Sequence, residues 1–305
     1  MLDCKITGQS FEDYCCWPWC HWLFVRLLTP KSGHQLSVWT RDNALSKTLK
    51  LDEHESLNFP ANNTQLLEQA DLVLICTKSW QLQNVLEQTL AFIPLSTPIV
   101  ISHNGMGAIE KAQTLLDGRP ILFATTTHGA LKKDAETVLH TGIGQTVIGS
   151  YSNQALKLEE LTQILDSALP SAVWQTSIKQ ALWNKLAINC CINPLTAILD
   201  CRNGELDTPD SLQIIEALCG EITKVMLAEG YKADSETLLN TAKAVIKATS
   251  ANYSSMHQDV SHQRVTEIDY ITGYLLDCAK AHAIQTPYNQ ELYNKIKKLE
   301  ASYDN

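Results

Sequence analysis

Four short apolar runs of strand length, with amphipathic helical stretches between several of them, constrain this chain more than any other feature. They are Gln35-Leu-Ser-Val-Trp39, Ala70-Asp-Leu-Val-Leu-Ile-Cys76, Thr97-Pro-Ile-Val-Ile-Ser102 and Pro120-Ile-Leu-Phe-Ala-Thr125. Ser79 to Ala91 and Ala108 to Leu116 read as intervening helices. Such alternation predicts a parallel sheet with helices on both faces. Thr137-Val-Leu-His140 and Gln145-Thr-Val-Ile148, separated by Gly142 and Gly144, read as a closing hairpin.

After about Ser171 the periodicity changes. Apolar residues recur at helical spacing through Ile178–Ile192, Ser211–Leu227, Ser235–Ala251 and Thr266–Ala283, and no strand-like run of comparable quality remains. The expected fold is α/β: a Rossmann-type parallel-sheet domain over 1–172, then an all-helical domain over 173–305, joined near Leu169-Pro170-Ser171. A length of 305 residues is enough for two cores. A net charge of −9 without a Lys/Arg cluster argues against nucleic acid or an anionic membrane as partner. No apolar run approaches the roughly 18 residues of a membrane span, and the N-terminus has no signal pattern. Of ten cysteines, Cys76, Cys190, Cys191, Cys219 and Cys278 lie in apolar stretches, where a thiol packs as a small hydrophobe. That placement predicts a reducing, cytoplasmic setting without a disulfide framework.

A dinucleotide-binding sheet opens with a strand running into Gly-x-Gly-x-x-Gly, whose glycines let the backbone approach a pyrophosphate at a helix N-terminus. Here the corresponding stretch is Glu12-Asp-Tyr-Cys-Cys-Trp-Pro-Trp-Cys-His-Trp22, which fits neither strand nor helix. Tryptophan has the single codon TGG, so a one-base displacement begins a codon with GG. Reading Trp17 to Leu23 one base later yields Gly-x-Gly-(Ala/Val)-(Ile/Thr)-Gly for any synonymous codons. Glu12 to Cys16 becomes (Lys/Arg)-(Ile/Thr)-(Ile/Thr)-(Val/Ala)-(Val/Ala), a buried strand. Residues 12–30 therefore read as translated out of frame, with the frame restored by Lys31-Ser-Gly-His34; the alternative is a diverged, tryptophan-rich N-terminus. Cys16, Cys20 and His21 loosely resemble a haem or metal site, but the spacing is wrong and no second ligand cluster accompanies them. No metal is expected.

In such a domain the end of the second strand selects the cofactor: an acidic residue binds a ribose hydroxyl, and an arginine favours the extra phosphate of NADP. Trp39-Thr40-Arg41 places an arginine there, with Asp42 beside it as the counter-argument. Thr77-Lys78, His103-Asn-Gly-Met-Gly107 and Thr125-Thr-Thr-His-Gly-Ala130 follow the next strands, at the edge where a polar ligand binds. In the helical half, Lys185, Asn189 and Asn193 recur on one face of an otherwise apolar segment. Asn193 before Pro194 suggests a helix boundary.

Leu182-Trp-x-Lys-Leu-Ala-x-Asn-Cys-x-Ile-Asn-Pro-Leu-Thr-Ala197 resembles the signature of the ketopantoate reductases. So do His103-Asn-Gly-Met-Gly107, Asn203-Gly-Glu-Leu206, Ser254-Ser-Met-x-Gln-Asp259 and Thr266-Glu-Ile-Asp-Tyr270, in order, from about Gly33 to the C-terminus. The resemblance implies NADPH-dependent reduction of 2-dehydropantoate to pantoate, a step toward pantothenate and coenzyme A. It implies Lys185 as the general acid and Asn104, Asn189, Asn193, Asn203 and Ser255 as the substrate's holders. Glu267 and Asn104 would stand where cofactor and substrate meet, with Arg41, Lys78 and the Ala130 loop on the cofactor, NADP(H). Thr272 departs from the family's Asp-Tyr-x-Asn-Gly run, as a tolerated polar change. Two other outcomes stay open: a reductase of a related 2-keto acid with a different amide set, and a product impaired by the lost glycines.

Overall fold

The computed structural model describes residues 5–9, 35–42, 44–134, 136–168 and 171–303, with backbone alone at 5–9 and 168. The chain divides into an α/β unit, residues 1–103 and 108–181, and a helical unit, residues 104–107 and 182–305. The expected 172/173 boundary falls inside a sheet strand, Ala172–Trp174. Among the described residues no helix is long and apolar enough to cross a membrane.

In the α/β unit, strands β1 (Lys5–Gln9), β2 (Gln35–Trp39), β5 (Leu72–Cys76), β6 (Ile99–Ser102), β7 (Ile121–Thr126), β10 (Thr146–Ser150) and β11 (Ala172–Trp174) form one sheet in the order β11-β10-β7-β6-β5-β1-β2. From β2 to β7 all pairings are parallel; β10 returns antiparallel to β7. Every described residue of β5, β6 and β7 is buried, as expected for strands covered on both faces. Leu82, Val85 and Leu86 of helix α2 (Leu82–Thr89) are fully buried, and Leu161 and Leu165 of α5 (Leu161–Ala168) join a core with Leu72, Leu74, Val100 and Leu122. The remaining helices here are short: α1 (Thr64–Glu68), α3 (Ala108–Lys111) and α4 (Gln113–Leu116).

Lys5–Gln9 occupies the place between β5 and the edge strand β2, in register from Lys5 opposite Gln35. The sequence as printed suggested that this slot loses its strand; the β-branched pair Ile6-Thr7 supplies one instead. The stretch 12–30, with Cys16, Cys20 and His21, lies outside the described residues.

The expected hairpin is corrected. A second sheet runs β4-β3-β9-β8, from β3 (Ser46–Leu51), β4 (Leu57–Pro60), β8 (Gly129–Lys132) and β9 (Thr137–Gly142). β9 pairs with β3 and β8, whereas β10 pairs with β7 and β11. The glycines between them carry the chain from one sheet to the other: a Cβ on Gly144 would lie 2.4 Å from the Thr127 carbonyl carbon. Close backbone approach, not a tight turn, is what this glycine permits.

The helical unit contains the greater part of α6 (Ile178–Leu199), then α7 (Pro209–Ala228), α8 (Ser235–Ala248), α9 (Ser255–Ser261), α10 (Thr272–Ala281) and α11 (Pro287–Glu300). α7 packs against α8, α10 and α11. Thr208, Asp234 and Ser254 cap α7, α8 and α9 through side chains that accept backbone N–H groups; such caps each contribute about 1 kcal/mol. The expected boundary at Asn193 is also corrected, because α6 runs through Pro194. An interior proline costs about 3 kcal/mol, but Cys190 to Ala197 are buried without interruption, and the Thr196 hydroxyl meets the Ile192 and Asn193 carbonyls. Thr266–Ala283 is not one helix: a single-turn helix at Ile268–Tyr270 precedes α10, and Ile271 between them leaves helical geometry.

Candidate active site

Helix α6 sets the site of the helical unit. Lys185, Asn189 and Asn193 follow at four-residue intervals, so their side chains rise on one face. Most of the apolar residues of the helix are buried, with Trp183 fully enclosed beside the rings of Tyr231 and Tyr274 at 5.7 and 5.6 Å. Lys185 is half-buried by surface area, and desolvation pulls its ammonium down to about 8 against the opposing pull of the Glu267 carboxylate. Loss of hydration disfavours the charged amine, while a nearby carboxylate favours it. The result is an amine that carries its proton at neutral pH and releases it readily.

Glu267 is only 2 % exposed. The segment that carries it also receives Asn104. Met106 N donates to the Tyr270 carbonyl at 2.7 Å, and Gly105, at φ +79°, approaches so closely that a Cβ would lie 2.2 Å from that oxygen. The glycines of His103-Asn-Gly-Met-Gly107 are therefore needed to bring Asn104, itself buried, down onto residues 270–274.

At the far end of α6, the Thr196 and Ser254 hydroxyls are hydrogen-bonded to each other at 2.7 Å, and Ser254 Oγ accepts from His257 N at 3.0 Å. Ser255, half-buried, thus begins α9 tied to the face that carries Asn193. Asn203 is held by a run of bonds to one loop. Its N–H donates to the Asn252 carbonyl at 2.9 Å, the next N–H to Ser250 O at 3.1 Å, and its Nδ2 to Thr249 Oγ1 at 2.8 Å. The Thr249 hydroxyl spends its own proton on Val245 O at 2.7 Å, which fixes the Asn203 amide orientation. Two buried polar atoms on this set have no hydrogen-bond partner: Asn189 Nδ2, a donor, and Asn203 Oδ1, an acceptor. Unsatisfied buried polar groups cost about 1–3 kcal/mol each, and at a site they mark where a ligand completes the bonding. Thr272, fully buried, points its hydroxyl at Cys190 Sγ at 4.0 Å, a role for the departure noted in the sequence.

In the α/β unit the strand order reverses at β1, between β2 and β5. The carboxyl ends of strands beside such a reversal form the ligand crevice of doubly wound sheets. Arg41 stands there, exposed, just after β2. Its neighbour Asp42 is engaged locally: Oδ1 accepts from the Thr40 hydroxyl at 2.6 Å and from Ala44 N at 3.3 Å. Asn62, absent from the sequence expectations, clamps this turn, its Nδ2 donating to Asp42 O at 2.7 Å and Ala44 O at 2.9 Å. Lys78, 1 % exposed, follows β5 and its N–H donates to Gln81 Oε1 at 3.0 Å. The hydroxyls of Thr77 and Thr125, at the carboxyl ends of β5 and β7, are buried without a hydrogen-bond partner. Ala130 is half-buried on β8, opposite His140. These groups suit a dinucleotide: an exposed guanidinium beyond β2 and unsatisfied hydroxyls along the strand ends.

Two sequence profiles match the chain, "Ketopantoate reductase PanE/ApbA" over residues 23–153 and "Ketopantoate reductase PanE/ApbA C terminal" over residues 177–300. The 2-dehydropantoate 2-reductase of Vibrio cholerae is 45 % identical over 89 % of this chain and 92 % of its own. The chain belongs to the ketopantoate reductase family. A crystal structure of the probable 2-dehydropantoate 2-reductase of Bacillus subtilis, 29 % identical, superposes with a TM-score of 0.77 over 97 % of this chain and 100 % of its own. D-mandelate dehydrogenase with NADH and anilino(oxo)acetate, 20 % identical, shares the fold with a TM-score of 0.86 over 99 % of this chain and 100 % of its own. Membership makes the chain an oxidoreductase that uses a nicotinamide cofactor. The first family profile begins its match at Leu23, the last residue of the stretch in which the shifted frame would encode the glycines.

Proposed function

We propose that this ketopantoate reductase reduces 2-dehydropantoate to pantoate with NADPH, Lys185 acting as general acid. The observation that carries the reading is the α6 face, where an ammonium lowered by burial and within electrostatic reach of Glu267 shares the helix with Asn189; Asn189 and, beyond the helix, Asn203 each hold an unsatisfied buried atom. The bound nicotinamide cofactor would supply the hydride for the keto carbon. Lys185 gives its proton to the carbonyl oxygen, so that C=O becomes CH–OH and the amine is left neutral. Asn189 Nδ2 donates to an anionic or carbonyl oxygen of the substrate, Asn203 Oδ1 accepts from its hydroxyl, and Asn193, Asn104 and Ser255 complete the polar wall. Neutral amides hold a 2-keto acid without adding a positive charge that would depress the Lys185 ammonium further.

The preference for NADPH rests on Arg41 beyond β2, with Asp42 turned into its own loop. Lys78 and the Ala130 strand belong to the cofactor side of this reading, as do Thr77 and Thr125. An impaired product is the second reading, favoured by Trp17–Trp22 lying where the phosphate-binding glycines belong. The experiment is NADPH oxidation with 2-dehydropantoate, on the chain as printed and on a version with the frame of residues 12–30 restored. Turnover by the restored chain alone supports the reading and locates the lesion. Turnover by both overturns the frame argument, and a restored chain that binds NADPH without turnover overturns the substrate.

A further inference from the structure

Thr266 and Asp269, which bracket Glu267 and Ile268, are both held from one helix. Thr266 N and Thr266 Oγ1 donate to the same atom, Glu300 Oε1, each at 2.8 Å, and the Thr266 hydroxyl in turn accepts from Ile268 N at 3.1 Å. On the other side, Asp269 Oδ1 accepts from the Tyr293 hydroxyl at 2.7 Å and Oδ2 from Lys297 Nζ at 3.1 Å. Lys297 closes the circuit on Glu300 Oε2 at 2.8 Å. Tyr293, Lys297 and Glu300 lie on one face of α11, four and then three residues apart. The Glu300 side chain is 11 % exposed, so its two bonds to Thr266 are shielded from competing water. Burial and the Asp269 carboxylate push the Tyr293 hydroxyl up to about 12, which keeps it a donor at neutral pH.

Glu267 itself has a long side chain on the edge of a single-turn helix, a poor place to fix a buried carboxylate. Anchoring the residues before and after it removes that freedom. We propose that Glu300 and Lys297 of α11 are positioning residues, which hold Glu267 within electrostatic reach of Lys185 by clasping Thr266 and Asp269. The inference rests on the reading of Lys185 and Glu267 as the chemical pair.

The pair reports on the clasp without turnover. Competitive acylation of the full chain with acetic anhydride across pH, with mass spectrometry of the peptide holding Lys185, reads the titration of that amine; burial is expected to put the parent's midpoint below that of a solvated lysine, at about 8. Glu300→Ala is expected to lower the midpoint, since a carboxylate that drifts away no longer favours the ammonium, and to speed labelling at pH 7 by about threefold or more. Glu300→Gln, which keeps an acceptor for Thr266, should return the midpoint close to the parent. Leu292→Ala removes a buried apolar contact of the same helix without touching the clasp, and should leave the midpoint in place. If Glu300→Ala does not fold, Thr266→Val takes its place. A folded variant with an unchanged midpoint, or an equal shift in Leu292→Ala, overturns the proposal. Glu267→Gln separates the two readings. If it lowers the midpoint and Glu300→Ala does not, the clasp alone is wrong; if it too does nothing, the pairing with Lys185 falls and takes the clasp with it.

Discussion

Lys185 combines two opposed effects, and their balance fixes how the rate should depend on pH. Desolvation lowers the amine to about 8, and Glu267 limits the fall. The acid is the protonated form, complete below that value and lost above it, so kcat of the frame-restored chain should be flat toward neutrality and decline about tenfold per pH unit above 8. Lys185→Met should lower kcat by about a hundredfold or more and abolish that limb; a limb that persists would assign it to another group. Asn203 is a different case. Its amide is already held by Thr249, so Asn203→Ala removes an acceptor from the site and a bond to the loop together. An effect of about 1–3 kcal/mol is expected, chiefly as a raised KM for 2-dehydropantoate. A change confined to thermal stability would make Asn203 a loop anchor only.

Among the elements, the Asn104–Gly107 segment depends most narrowly on its sequence. Gly105 and Gly107 take φ +79° and +91°, and added Cβ atoms would meet the Tyr270 carbonyl oxygen at 2.2 Å and the Tyr274 ring at 2.8 Å. A ring can tilt away, but backbone has less room. Gly105→Ala should therefore cost more than Gly107→Ala, about 1–3 kcal/mol, seen as a thermal midpoint lowered by several degrees. Equal effects at the two positions would show that the strained φ, not the contact, sets the cost. α6 teaches the converse lesson. Pro194 is a local signal for termination, yet the helix continues because burial along 190–197 outweighs it.

For the whole molecule the deciding property is cofactor binding. A ligand that binds only the folded state stabilises it, by about 2.7 kcal/mol at a hundredfold excess over Kd. Saturating NADPH should raise the thermal midpoint of the restored chain by several degrees and leave the chain as printed unmoved. A rise in both would mean that the printed N-terminus builds a cofactor site without the glycines. The two units merit separate inspection in that scan, because each carries its own core.

The sequence determined what repeats or stands in a fixed local relation. Apolar runs placed β2, β5, β6 and β7 to within two residues, because a strand buried on both faces leaves little else to write. Helical spacing marked α6, α7 and α8, and the family motifs singled out Lys185, the asparagines and Glu267. Tertiary structure decided which strands pair and which polar atoms meet. β9 and β10 look like a hairpin, yet each finds another sheet, since pairing is chosen by distant edges and by the close approach at Gly144. Asn62 clamping the Arg41 turn, Thr196 holding Ser254 and Glu300 holding Thr266 join residues 18 to 58 apart in sequence. No local pattern encodes such bonds, because their partners become neighbours only when the cores close.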